Sequence, residues 1–102
     1  MNELISIVIP AYNAAAFISK TLDTILNQTY KNFEVVVIND GSKDNTLDIL
    51  KEYEKTDSRI RVFSQENGGV SAARNTALTK IKGQYITYIY ADDSVPPTAL
   101  ED

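Results

Sequence analysis

Residues 5–9 (ISIVI) form a short, β-branched and nearly all-apolar run closed by Pro10, the pattern of a strand buried on both faces. From Ala14 the spacing changes. Phe17, Ile18, Thr21, Leu22, Ile25 and Leu26 recur at three and four residues, which predicts a helix capped by Asn13. Residues 33–38 (FEVVVI) predict a second buried strand, followed by the turn-forming NDGSKDN and a weaker helical pattern through Leu47, Leu50 and Tyr53. A shorter third strand is expected over residues 59–63. Asn67-Gly68-Gly69 then punctuates the chain before a third helix carrying Val70, Ala73, Ala77, Leu78 and Ile81, with Gly83 as its stop. Residues 85–90 predict a fourth buried strand, which leads into the adjacent carboxylates Asp92 and Asp93 and is broken by Pro96 and Pro97.

Strands alternating with helices at this pitch imply right-handed crossovers, hence an α/β fold with a parallel sheet and helices on both faces. At 102 residues the chain holds one domain at most, and it shows no internal repeat, low-complexity segment or linker. Pro96 and Pro97 followed by TALED have the composition of a first helical turn that goes no further, so the chain is expected to be the front portion of a longer protein.

Composition narrows the chemistry. The chain is 43% hydrophobic and 24% charged, an ordinary globular balance. Its net charge of -4 and pI near 4.7 argue against nucleic acid or an anionic membrane as a partner, since both call for a basic face. Cysteine and histidine are absent, so disulfides, thiolate sites, zinc hydrolase chemistry and a Ser-His-Asp triad cannot be built from this chain. No apolar run approaches the ~20 residues of a transmembrane helix, and the N-terminus has no basic region ahead of its apolar stretch. A cytoplasmic setting is the default expectation.

In an open parallel sheet, ligands bind beyond the carboxyl ends of the strands. Three polar segments fall there: Pro10-Ala11-Tyr12-Asn13, Asn39-Asp40-Gly41-Ser42 and Ala91-Asp92-Asp93. Taken singly, each has an ordinary explanation. Asp40-Gly41 is a common turn pair, Ser42 or Asp44 can cap the next helix, Tyr12 can be an aromatic lid, and Arg74 can be a solvated helix residue. Asp92 and Asp93 are harder to dismiss, because two adjacent carboxylates need a cation, a proton or water to relieve their repulsion. A divalent metal held with a phosphate is one common solution, and in an acidic chain it would supply the positive charge that a phosphate ligand needs.

Taken together, ISIVIPAYNAAAFISKTLDTILNQTY, FEVVVINDGSKDNT, ENGGVSAARNTAL and GQYITYIYADDSV occur in the order and spacing of one family. The chain resembles the family 2 glycosyltransferases of the GT-A type, enzymes that transfer a sugar from a nucleotide diphosphate donor. The resemblance covers nearly the whole chain. It implies a Rossmann-like, mainly parallel sheet, with residues 1–102 as the donor-binding portion of a GT-A domain that acts in polysaccharide biosynthesis. It further implies that Pro10, Ala11 and Tyr12 border the base, with Tyr12 stacking on it, and that Asp40 accepts a hydrogen bond from a uracil imide. Arg74 would reach the nucleotide side of the pocket. Ala91 and Asp92 would lie along the nucleotide, Asp92 near the ribose or the metal's waters, and Asp93 would bind the Mn²⁺ or Mg²⁺ that bridges the diphosphate. Many relatives carry a further acid where this chain has Tyr90, a departure that bears on the ribose contact more than on the metal.

The same resemblance implies a UDP-sugar donor, inverting transfer to the hydroxyl of a saccharide or lipid-linked acceptor, and a carboxylate base that lies beyond residue 102 in relatives. No catalytic residue is therefore assigned within the chain, which is expected to bind donor but to transfer little alone. Some relatives carry membrane-associating segments further on, which would place the full-length protein at the cytoplasmic face of a membrane. Other nucleotide folds fit worse. PAYNAAA lacks the glycines of a dinucleotide fingerprint, no G-x-x-x-x-G-K-[ST] is present, and a receiver domain would need acids where Ala11-Tyr12 and Ser64-Gln65 stand. A non-catalytic nucleotide-sugar-binding or assembly module remains the alternative.

Overall fold

A computed structural model describes residues 3–28 and 31–89. Strands β1 (Ile5–Ala11), β2 (Phe33–Asp40), β3 (Ile60–Gln65) and β4 (Tyr85–Tyr88) alternate with helices α1 (Ile18–Leu26), α2 (Thr46–Thr56) and α3 (Val70–Leu78). All pairings are parallel, in the order β3-β2-β1-β4. The expected parallel α/β sheet with helices on both faces is therefore present.

Handedness explains how the helices are distributed. The chain steps from β1 to β2 to β3 in one direction, and right-handed crossovers put α1 and α2 on the same face. It then jumps back past β1 to β4, which puts α3 on the other. Side chains follow suit. Ile7, Ile9, Val35, Val37, Ile60 and Val62 pack with Ile18, Leu22, Ile25 and Leu50 in one core. Val8, Val36 and Ile38 meet Ala73 and Ala77 in a smaller core on the α3 side, where the two alanines bring the helix close to the sheet.

Several sequence expectations need correction. β1 runs through Pro10, which is buried and paired with Ile38. Ile89 donates to the Val8 carbonyl at 3.0 Å, so even-numbered residues of β1 turn their polar groups toward β4; the N–H that Pro10 lacks would point past the last described β1–β4 pair. α1 starts four residues later than expected, at Ile18, and Asn13 does not cap it. α3 ends at Leu78, well short of Gly83. Gly83 instead sits where a Cβ would lie 2.5 Å from Ser6 Oγ and 2.7 Å from the Leu4 carbonyl, so it allows a close backbone approach rather than stopping a helix. β4 is not the buried strand its composition suggests: Tyr85, Ile86 and Tyr88 are 55%, 41% and 41% exposed.

Candidate functional site

Because every strand is parallel, the carboxyl ends of all four face one edge, and the order reverses between β1 and β4. Pairing of Ala11 with Asn39 and of Asp40 with Gln65 brings the ends of β1, β2 and β3 level. Pro10 and Ala11 are buried in this edge, and Tyr12, the next residue, is 49% exposed. The ring is thus presented at the rim while its backbone continues directly from the sheet.

Two loops are fastened together around Tyr12. The Asn13 N–H donates to Ser42 Oγ at 2.9 Å, and Asn13 Oδ1 accepts from the Lys43 N–H at 2.8 Å. Asn13 has φ +49°, a left-handed conformation that asparagine tolerates better than most residues. One residue on, the Ala14 N–H donates to the buried Thr46 Oγ1 at 2.8 Å, and the Ala15 N–H donates to Asp44 Oδ2 at 3.2 Å. Asp44 Oδ1 accepts from both the N–H and the hydroxyl of Thr46. These donors, the Thr46 hydroxyl foremost, hold the Asp44 carboxyl below its usual value against some desolvation. Neither residue is the cap of α2, which is Asn45 without a side-chain cap bond; Asp44 instead accepts from the first helical N–H, that of Thr46, and Ser42 serves the neighbouring loop.

Asp40 is 3% exposed. Its Oδ1 accepts from Gln65 Nε2 at 2.9 Å and from the Gly68 N–H at 3.0 Å, and its Oδ2 accepts from the Gly69 N–H at 2.9 Å. Burial pushes its pKa up, but these donors more than offset that and hold it below the usual aspartate value. The carboxylate is thus tied to the start of α3, whose N-terminal dipole favours an anion. Asn67 Nδ2 closes the arrangement by donating to the Asp40 carbonyl at 3.0 Å. Gly41, at φ +72°, is required here, since a Cβ would lie 2.6 Å from the Asn67 backbone nitrogen.

Arg74 lies one turn into α3, with its guanidinium 5.0 Å from the centroid of the Tyr88 ring on β4. It is half-buried against the sheet rather than a solvated helix residue. Next to Asp40, Asn39 is buried at 5% exposure; its Nδ2 donates to Ser64 Oγ at 3.3 Å, while its Oδ1 has no hydrogen-bond partner. Ala91, Asp92 and Asp93, and the departure at Tyr90, lie outside the described residues. Among the described residues no group of three or more acidic side chains could hold a metal ion. Sequence reasoning missed Gln65, Asn67, Gly68 and Gly69 as the support of Asp40. The signal was the Asn-Gly-Gly run, read as punctuation and as part of the ENGGVSAARNTAL motif but not as a partner of Asp40.

With this geometry in view, the model of the family described as glycosyl transferase family 2 matches residues 6–102. The chain belongs to that family. It is 44% identical over 101 residues to glycosyltransferase GlyA of Streptococcus pneumoniae, covering 99% of this chain and 14% of that protein. Its structure is similar to that of Staphylococcus aureus TarS 1-349 in complex with UDP, with a TM-score of 0.88 and 30% identity over 96% of this chain and 30% of that one. It is also similar to mannosyltransferase PcManGT from Pyrobaculum calidifontis in complex with GDP-Man and Mn²⁺, with a TM-score of 0.81 and 30% identity over 86% of this chain and 27% of that one. The Rossmann-like GT-A sheet implied by the resemblance is therefore shown, and the family 2 chain spans only a minor part of each of these proteins.

Proposed function

We propose that this chain is the donor-binding portion of an inverting glycosyltransferase and takes a nucleotide diphosphate sugar, with UDP-sugar as the first candidate. The observation that carries this reading is the convergence of the Tyr12 and Asp40 loops, bonded into one edge of a family 2 sheet. Solved relatives of the same fold hold UDP in one case and GDP-Man with Mn²⁺ in another.

In this reading Pro10 and Ala11 form the floor, the exposed Tyr12 ring stacks on the base, and Arg74 lies toward the nucleotide side. Asp40 sets the loop that carries Gly68 and Gly69 and accepts from the base with the acceptor capacity those donors leave. Ala91 and Asp92 would border the ribose. Asp93, a carboxylate suited to a hard divalent ion, would hold Mn²⁺ or Mg²⁺; such an ion supplies Lewis-acid stabilisation of the departing nucleoside diphosphate. The chain's own residues bind and orient the donor. The acceptor, a saccharide or lipid-linked hydroxyl, and the base that removes its proton belong to the longer enzyme, in a cytoplasmic setting or at the cytoplasmic face of a membrane. No helix among the described residues is long and apolar enough to cross one.

Titration of the chain with UDP and with GDP, with and without Mn²⁺, tests this reading. UDP binding strengthened by Mn²⁺ is expected, with the metal dependence lost in Asp93→Ala and with no sugar transfer to added acceptors. Binding indifferent to both metal and substitution would favour a non-catalytic module, and absence of nucleotide binding would end the donor-site reading.

A further inference from the structure

The hydrogen bonds between the two loops at the sheet edge do more than terminate elements. Asn13, Ala14 and Ala15 follow Tyr12 directly, and each is bonded to a side chain or backbone group of residues 42–46. Thr46 is fully buried and joins both halves: its Oγ1 accepts from the Ala14 N–H and donates to Asp44, which in turn accepts from the Ala15 N–H. The Asn13, Ala14 and Ala15 N–H groups lie ahead of α1, and each takes its partner from the loop after β2 or from the first residue of α2. α1 begins only at Ile18; a local turn in which the Phe17 and Ile18 N–H groups donate to the Ala14 carbonyl leads into it, and the Asn13, Ala14 and Ala15 N–H groups ahead of that turn are held by the neighbouring loop.

We infer that Thr46, Asp44 and Asn13 are positioning residues for the donor base and act through Tyr12. The inference rests on the donor-site reading above and deepens it. An exposed aromatic ring contributes more net affinity by stacking when its backbone is fixed beforehand, since ordering it on binding costs affinity. The clamp supplies that fixing from the β2–α2 loop, so the orientation of Tyr12 is set by residues more than 30 positions away in sequence. It also makes Tyr12 and Asp40 one unit, because residues 42–46 continue from the strand that ends in Asp40.

UDP titration followed by amide chemical shifts, in Thr46→Val, Thr46→Ser and Asn13→Gly, tests the inference. Thr46→Val keeps the shape and removes the hydroxyl; it is expected to weaken UDP binding by about tenfold, the scale of one lost hydrogen bond. Thr46→Ser restores the hydroxyl and is expected to bind like the parent chain. Asn13→Gly tolerates the left-handed backbone but loses the bond to Lys43, and should weaken binding in the same direction. The deciding measurement is the Tyr12→Ala background, where Thr46→Val should produce no further loss. Unchanged affinity in Thr46→Val, or a full additional loss on top of Tyr12→Ala, overturns the inference. Should Thr46→Val fail to fold, Asn13→Gly alone and with Tyr12→Ala decides the question by the same criteria. Failure of the parent chain to bind UDP or GDP is a separate outcome that removes the donor-site reading itself and this inference with it.

Discussion

Asp40 is buried as a charged group because N–H donors at the start of α3 replace the water it gave up. Removing the carboxylate leaves the Gly68 and Gly69 N–H groups and the Gln65 amide without their acceptor. Asp40→Ala is therefore expected to cost about 1–3 kcal/mol of folding stability. Urea denaturation measures this; an unchanged midpoint would show that the loop after β3 holds its conformation without Asp40. Aspartate at this position was visible in the sequence as a candidate. Its donors were not, because Gln65, Gly68 and Gly69 reach it from 25 to 29 residues away, a distance over which periodicity carries no information. Asn13 illustrates the opposite error. Its position before an apolar helical pattern fits a cap, yet α1 begins five residues later, at Ile18, and the Asn13 side chain bonds Lys43 instead.

Among the elements, β1, β2 and the faces of α1 and α2 were readable because buried strands give unbroken apolar runs and amphipathic helices give a repeat. The α3–β4 connection was not. Gly83 looks like a helix stop, but the segment is fixed by polar groups of the sheet: Glu34 Oε2 accepts from Ser6 Oγ and from the Lys82 N–H, both at 2.6 Å, and Ser6 Oγ accepts from the Gly83 N–H at 2.8 Å. Arg61 completes the cluster at 2.6 Å from Glu34 Oε1. Burial raises the Glu34 pKa, while the bonds from Ser6, Lys82 and Arg61 outweigh it and leave the carboxyl below its usual value. The sign of the linkage follows. A depressed carboxylate contributes stability above its unfolded pKa and loses it as pH falls through the lower folded value. Unfolding free energy should thus decline from the ordinary glutamate range downward. Glu34→Gln should be less stable than the parent chain at neutral pH by about 1.5–3 kcal/mol, with a shallower decline in acid. Parallel acid profiles for the two proteins would show that Glu34 does not carry this term.

At the scale of the molecule, the sheet is held unevenly. β1 pairs with β2 over seven positions and β2 with β3 over six, but the described β1–β4 pairing covers four. The β3 edge is also protected, because Glu54 of α2 accepts from the Val62 N–H at 2.7 Å, whereas Tyr85, Ile86 and Tyr88 of β4 stand half-exposed. Among the described residues β4 stands last in the strand order and pairs with β1, a placement that its apolar run does not reveal. Opening of the chain should therefore begin at β4 and spread last to β1 and β2. Native-state hydrogen exchange tests this directly. The Ile89 amide, bonded to the Val8 carbonyl, should exchange through a low-energy local opening, while the Val35 amide, bonded to the Arg59 carbonyl from within fully buried β2, should exchange only with global unfolding. Equal protection of the two amides would mean that β4 is held as firmly as the centre of the sheet. Slow exchange at Val35 with fast exchange at Ile89 would place the weak boundary between β1 and β4, where the strand order reverses.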